Sequence, residues 1–307
     1  MEPTCWRRPW PRGSGEAGMS ERPSESELAL IDAALAEDIG EADWTTLWTI
    51  SEEARGSARI VARADGVIAG TRPAEGVFRR LDPEIRLDWR RADGEGVQAG
   101  SVAAELSGRL HAILTGERTA LNFLGRLSGV ATLTSRYVRA VEGTGCHVVD
   151  TRKTTPGWRR LEKEAVAAGG GQNHRAGLYD MVLLKENHLR HAGGVGPALD
   201  RVSERARAAG LEVEVEVTDL AELEAALERL PGARPDRILL DNMTAEMLRE
   251  AVRAVRGVDP PVPLLEASGG VTLESVRSIA DTGVDLVSVG ALTHSAATLD
   301  LSLLVTP

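Results

Sequence analysis

Lysine is scarce in this chain: Lys153, Lys163 and Lys185 are the only lysines among 36 basic residues, and all the others are arginine. A sequence that writes arginine elsewhere yet gathers its lysines in one block has a use there for a compact ammonium, the group that serves phosphates and Schiff bases. Chance clustering of a rare residue is the plain alternative. The neighbours favour chemistry. Thr151-Arg152-Lys153-Thr154-Thr155-Pro156-Gly157 sets two cations and three hydroxyls on a loop closed by a Pro-Gly turn, a composition suited to carboxylate and phosphate oxygens. Gly169-Gly170-Gly171-Gln172-Asn173-His174-Arg175 adds backbone that a ligand can approach closely, then two further donors, although three glycines also suit a helix C-terminus. Lys185 closes the apolar run Met181-Val182-Leu183-Leu184, and a charge delivered by a buried strand is rarely incidental. The block from Asp150 to His188 therefore reads as a site for a multiply anionic, phosphate-bearing ligand.

Acids and glycine loops further along complement it. Glu216 and Asp241 each fall late in an apolar run and are natural ligands for Mg²⁺ bridging to a pyrophosphate. Glu266-Ala267-Ser268-Gly269-Gly270 and Val289-Gly290-Ala291-Leu292 follow the last two runs, where barrels often bind phosphate through backbone N–H groups. Ser268, Gly269, Gly270 and Gly290 are the candidates. In Glu212–Val217 three carboxylates alternate with three valines. Two arrangements fit: an edge strand with a solvated acidic face, or a barrel strand with valines under helices and glutamates in the lumen, paired with loop cations.

The elements that must hold these residues follow from the pattern. From about residue 146, short apolar runs at 146–150, 181–185, 212–217, 237–241, 264–267 and 286–289 alternate with helical stretches, the signature of βα units and a parallel sheet. Nearly every run ends in polar residues, which favours a barrel with its active site at the carboxyl ends over a doubly wound sheet. Residues 57–106, with turns at Asp65-Gly66, Asp93-Gly94 and Gly100, suggest a separate domain of antiparallel hairpins. A long helix is expected from about Thr115 as N-cap, with Leu121, Leu124 and Leu127 on its apolar stripe. Arg118 would then lie in the first turn, where the dipole disfavours a cation; it is either a ligand-binding or a solvated arginine.

Composition bounds the rest. The 307 residues, 42% of them hydrophobic, contain no apolar run long enough for a membrane span. A net charge of -10 opposes nucleic-acid binding. Two cysteines, Cys5 and Cys146, exclude a disulfide framework and point to the cytoplasm. Residues 1–18 lack a secretory h-region and read as a disordered extension, with Met19 a plausible start.

Taken in order, these segments resemble one family, quinolinate phosphoribosyltransferase, from about Leu28 to Leu304. The carriers are Glu37-Asp38-Ile39-Gly40 with Thr45-Thr46, Glu117–Leu124, Asp150–Gly157, Gly169–Arg175, Lys185–His188, Glu214–Glu216, Asp241–Met243, Glu266–Gly270 and Ser288–Thr293. The resemblance implies an N-terminal α/β sandwich domain (19–130, with 292–307 packed on it) and an incomplete, seven-stranded α/β barrel (131–291). It implies a homodimer, with further assembly left open, and an Mg²⁺-dependent reaction of quinolinate with phosphoribosyl pyrophosphate. By that likeness Arg118 of the other subunit, Thr151, Arg152, His174 and Arg175 bind quinolinate. Lys153 and Lys185 contact phosphoribosyl pyrophosphate, Glu216 and Asp241 its metal and ribose, and Ser268, Gly269, Gly270 and Gly290 its phosphate. Gly125, Trp158 and Glu164 depart from the family pattern and put packing in doubt. Three rivals remain on the sequence: a related branch tied to molybdenum use, a Schiff-base lyase acting through Lys185, and a catalytically silent phosphosugar binder.

Overall fold

The computed structural model describes residues 23–229, 233–260 and 262–306; the expected extension at 1–18 and Met19 lie outside them. Its elements in chain order are α1 (Glu25–Ile39), α2 (Trp44–Thr49), β1 (Arg55–Ala62), β2 (Gly66–Val67), α3 (Thr71–Leu81), β3 (Arg86–Trp89), β4 (Gly96–Val97), β5 (Val102–Arg109) and α4 (Leu110–Ala140). There follow β6 (His147–Val149), α5 (Arg159–Ala168), β7 (Val182–Leu184), α6 (Glu186–Ala192), α7 (Val195–Ala209), β8 (Val213–Val217) and α8 (Leu220–Leu227). The chain continues with β9 (Arg237–Asp241), α9 (Ala245–Arg256), β10 (Leu264–Ser268), α10 (Val276–Ala280), β11 (Leu286–Ser288), α11 (Ala291–His294) and β12 (Leu301–Thr306).

The first half builds an antiparallel sheet in the order β12-β1-β5-β3. The antiparallel pairing expected here is present, but not as consecutive hairpins, because α3 intervenes and the C-terminal β12 pairs with β1 from Ser57↔Thr306 to Ala62↔Leu301. Helix α1 begins at Ser24, whose side chain accepts from Glu27 N, and ends at Gly40 with φ 56, a left-handed turn that glycine adopts without strain. Helix α4 begins at Leu110, five residues ahead of the expected cap. Thr115 is therefore inside the helix, where its hydroxyl donates to Asp43 Oδ2 at 3.0 Å, and Arg118 is beyond the first turn and out of reach of the dipole argument. Leu121, Leu124 and Leu127 are buried as the spacing predicts.

Six strands form the second sheet, all parallel, in the order β6-β11-β10-β9-β8-β7. They are the six apolar runs read from the sequence. In sequence the last of these strands pairs with the first, Leu286↔His147 to Ser288↔Val149. Where a seventh strand was expected, only a single parallel bridge, Val149↔Gln172, flanks β6 among the described residues. Alternation sorts β8: Val213, Val215 and Val217 pack in the apolar core, while Glu214 meets side chains from across the sheet.

The three departures from the family pattern each pack. A Cβ on Gly125 would stand 2.9 Å from Thr298 Cγ2 and 3.0 Å from Leu299 O, so glycine lets the C-terminal segment approach α4. Trp158 stacks on Phe123 with ring centroids 4.7 Å apart. Glu164 pairs with Arg72 at 2.6 Å and with Arg160 at 3.0 Å. Among the described residues no helix is long and apolar enough to cross a membrane.

Candidate active site

The carboxyl ends of the parallel strands bring one cluster of four charges together. Lys185 follows β7 and its ammonium pairs with Glu216 on β8. The backbone N–H of Lys185 donates to His188 Nδ1 at 3.0 Å, which fixes the turn into α6. Asp241 ends β9 within electrostatic reach of Glu216, Lys185 and Lys153; burial first and the Glu216 charge second raise its pKa. Lys153 is tied in from another element, since Thr293 Oγ1 on α11 donates to its carbonyl at 2.8 Å.

Glycine loops edge the same mouth. Ser268 pairs in register with Asp241, and its carbonyl accepts from Asn242 N at 2.8 Å. Asn242 itself has φ 54, the only described non-glycine residue on that side of the map. Gly269 and Gly270 have φ 99 and 58, and a Cβ on Gly269 would run into the Asn242 amide. A Cβ on Gly290 would stand 3.1 Å from Lys153 Cδ, so the phosphate loop candidates and the lysine meet.

Beside this cluster stand the arginines. Thr151 Oγ1 accepts from Lys153 N at 3.1 Å, shaping the loop that carries Arg152. Arg175 has its pKa lowered by burial and then by the Arg152 charge, which puts two guanidiniums close together. Arg152 Nε is buried without a partner. Two repelling cations at one mouth are a receptor for an anion with two charges. Arg118 stands apart, exposed on α4 and without a hydrogen bond or ion pair among the described residues.

His174 stands deeper than the arginines. Its ring is nearly buried, with Nε2 2.9 Å from Glu214 and 3.4 Å from Glu266, while Nδ1 accepts from Arg175 N at 2.8 Å. Both nitrogens are engaged by the protein. Two demands compete at the ring: burial lowers its pKa, while the carboxylates outweigh this and raise it to about 10. The N–H aimed at Nδ1 needs a lone pair there, and that directional contact favours the tautomer protonated at Nε2. Glu214 has its pKa raised by burial and then by the Glu266 charge. Glu214 on β8 and Glu266 on β10 thus reach one imidazole although β9 separates their strands. Sequence reasoning missed this lumen triad because alternation gives a face, not a partner. It missed the bracing residues Asp150, Arg159, Glu162 and Lys163 as well, although the lysine count had set Lys163 apart.

A parallel sheet with an arginine pair, a lysine–carboxylate cluster and glycine loops at its carboxyl edge defines an enzyme for acidic, phosphorylated substrates. Family models for quinolinate phosphoribosyl transferase match along the chain, the N-terminal domain at residues 43–128 and the C-terminal domain at 130–304. The chain belongs to the quinolinate phosphoribosyltransferase family. It is 41% identical over 94% of its length to the chloroplastic carboxylating nicotinate-nucleotide pyrophosphorylase of Arabidopsis thaliana, covering 87% of that protein. A probable carboxylating nicotinate-nucleotide pyrophosphorylase of Synechocystis sp. is 42% identical, with 88% of this chain and 89% of the relative covered. The solved nicotinate-nucleotide pyrophosphorylase of Francisella tularensis superposes with a TM-score of 0.86 at 39% identity, covering 92% of this chain and 97% of that one.

Proposed function

We propose that this enzyme transfers phosphoribosyl from phosphoribosyl pyrophosphate to quinolinate with decarboxylation, giving nicotinate mononucleotide, pyrophosphate and CO₂ in de novo NAD biosynthesis. The observation that carries it is the pairing, at one barrel mouth, of the close Arg152–Arg175 guanidiniums with the Lys153, Lys185, Glu216 and Asp241 cluster. Two carboxylates on one pyridine ring call for permanently charged arginines, with Thr151 beside them. A departing pyrophosphate calls for lysines, and a ribose phosphate for the backbone of Ser268, Gly269, Gly270 and Gly290.

Glu216 and Asp241 fit Mg²⁺: they are hard oxygen donors whose like charges disfavour each other, and such an ion takes its other ligands from water and substrate phosphates. When bound, it neutralises charge on the leaving pyrophosphate. The protein's own residues do the positioning. Arg152 and Arg175 hold the diacid so that its ring nitrogen lies in line with C1 of the ribose, and Lys153 and Lys185 draw the pyrophosphate away. The carboxylates of Glu216 and Asp241 oppose the positive charge that grows on the ribose. Once the nitrogen is quaternary, its positive charge stabilises the electron pair left on the adjacent ring carbon as the C–C bond to CO₂ breaks, a proton from water then fills that carbon, and no covalent nucleophile is needed. Turnover of quinolinate, phosphoribosyl pyrophosphate and Mg²⁺ to nicotinate mononucleotide by the purified protein tests the reading; reaction of nicotinate alone would refute the substrate assignment.

The same reading divides the chain into an N-terminal α/β sandwich domain (19–130, with 292–307) and a barrel (131–291) whose seventh stave is the segment at Gln172; the β1–β12 pairing and the Val149↔Gln172 bridge support it. It also makes the working unit a homodimer with Arg118 reaching the other subunit's site. Exposed, partnerless Arg118 and exposed Trp44, Leu47 and Trp48 on α2, with Leu178 and Tyr179 beside the site, support that. The scarcity of cysteine supports a cytoplasmic setting.

A further inference from the structure

Of the three lysines that the sequence sets apart, Lys163 has no part in the chemistry above. It lies on α5, buried, and its Nζ donates to Asp150 Oδ1 at 2.5 Å and to His174 O at 2.8 Å. Asp150 is fully buried where β6 passes into the Thr151–Gly157 loop. The same Oδ1 accepts from His174 N at 2.8 Å, and Oδ2 accepts from the Asn173 amide nitrogen at 2.8 Å once that amide is turned to match its neighbours. One ammonium–carboxylate unit thus ties the start of the first cationic loop to the end of the second. The preceding residue, Glu162, holds the far end of the first loop by accepting from Thr155 N at 3.0 Å and Thr155 Oγ1 at 2.9 Å. Arg159, one turn earlier, donates to Thr154 Oγ1 at 3.0 Å and to Ala176 O at 3.0 Å. A single face of α5 grips both loops.

The grip opposes a repulsion. Arg152 and Arg175 stand on those loops, one on each, and the Arg152 charge disfavours that of Arg175. Without a ligand between them the loops gain by parting, and the diacid would then meet one guanidinium at a time. We propose that Lys163 is a positioning residue for the dicarboxylate subsite: held by Asp150, its ammonium fixes the spacing of the Arg152 and Arg175 loops so that both guanidiniums engage the diacid together. This rests on the quinolinate reading above.

The test uses the full chain, its Lys163→Met variant and the Asp150→Asn/Lys163→Met double variant. The single variant strands a buried carboxylate and destabilises the fold, whereas the double variant removes both charges and regains stability. Expected are a rise of about tenfold or more in the quinolinate KM, matched by calorimetric binding of quinolinate alone, and a phosphoribosyl pyrophosphate KM within about threefold of the parent. The double variant keeps the raised quinolinate KM although its melting temperature recovers. A parent that turns over quinolinate together with a double variant of parental quinolinate KM would overturn the inference alone, as would equal rises in both KM values. A parent inactive on quinolinate would overturn the substrate reading and this inference with it.

Discussion

At the scale of single residues, the site separates groups by what burial leaves them free to do. Lys185 and Glu216 neutralise each other at the mouth, so each is held in place without being sealed from a ligand. Lys185→Ala is expected to lower kcat on the order of 10²–10³-fold, since a preorganised charge aimed at a departing anion carries that share of a barrier. Steady-state turnover checks it, and a loss below tenfold would remove the lysine from the pyrophosphate's path. Asp150 makes a different forecast. Burial raises its carboxyl to about 6 from 3.8 against the pull of Lys163 and of the His174 N–H. The folded chain therefore holds this proton more tightly than the unfolded one. The stability it contributes is complete below pH about 4 and is lost as pH rises through about 6, a change on the order of 1–3 kcal/mol. Urea unfolding between pH 4 and 7 should show that fall in the parent and not in Asp150→Asn; matching profiles would mean that the group does not titrate there.

At the scale of elements, close approach decides which side chains are tolerated. A Cβ on Gly129 would run into Ala297 O, where the C-terminal segment crosses α4 on its way to β12. Gly129→Ala should destabilise the fold by roughly 2 kcal/mol or more, because the obstacle is backbone and cannot swing away. Thermal unfolding measures it. Gly269, proposed to hold the ribose phosphate, lies in a short loop at φ 99 with Asn242 filling the space beside it. Gly269→Ala combines left-handed strain with that collision, so it should raise the phosphoribosyl pyrophosphate KM about tenfold or more while leaving quinolinate binding near the parent's. An unchanged KM would take the phosphate from this loop.

At the scale of the molecule, the cationic residues follow β6 and β7 at the two ends of the strand order while Glu216 and Asp241 stand on β8 and β9 between them, and the assembly proposed for Arg118 reaches further still. Mixing Arg118→Ala with Lys185→Ala should restore activity well above either protein alone, towards a quarter of the parent's for random exchange of two-chain sites. No recovery after exchange has been verified by labelled subunits would place Arg118 outside the site. Chelation provides a parallel check: turnover should vanish in excess EDTA and return with Mg²⁺, as expected if Glu216 and Asp241 share an ion with the pyrophosphate.

The sequence by itself determined the chemistry's inventory and the βα order. Side-chain types report charge directly, and alternating apolar runs of fixed length report strands, so all six parallel strands and the Lys153, Lys185, Glu216 and Asp241 set were legible. Pattern also determined that the glutamates at 212, 214 and 216, the last two of them in β8, share a face, but left open whether that face met water. Only the tertiary structure decided it. Glu214 is fully buried, and there it meets the His174 ring together with Glu266. The start of α4 escaped the sequence reading for a similar reason: Leu110, not Thr115, begins it, since packing against the sheet supplies what a capping side chain would. Lys163 shows the division most sharply. Composition marked it as unusual, yet only the fold, by folding α5 over both cationic loops, set its ammonium on Asp150 and away from the mouth, because which atoms meet across such separations is a property of packing and not of spacing.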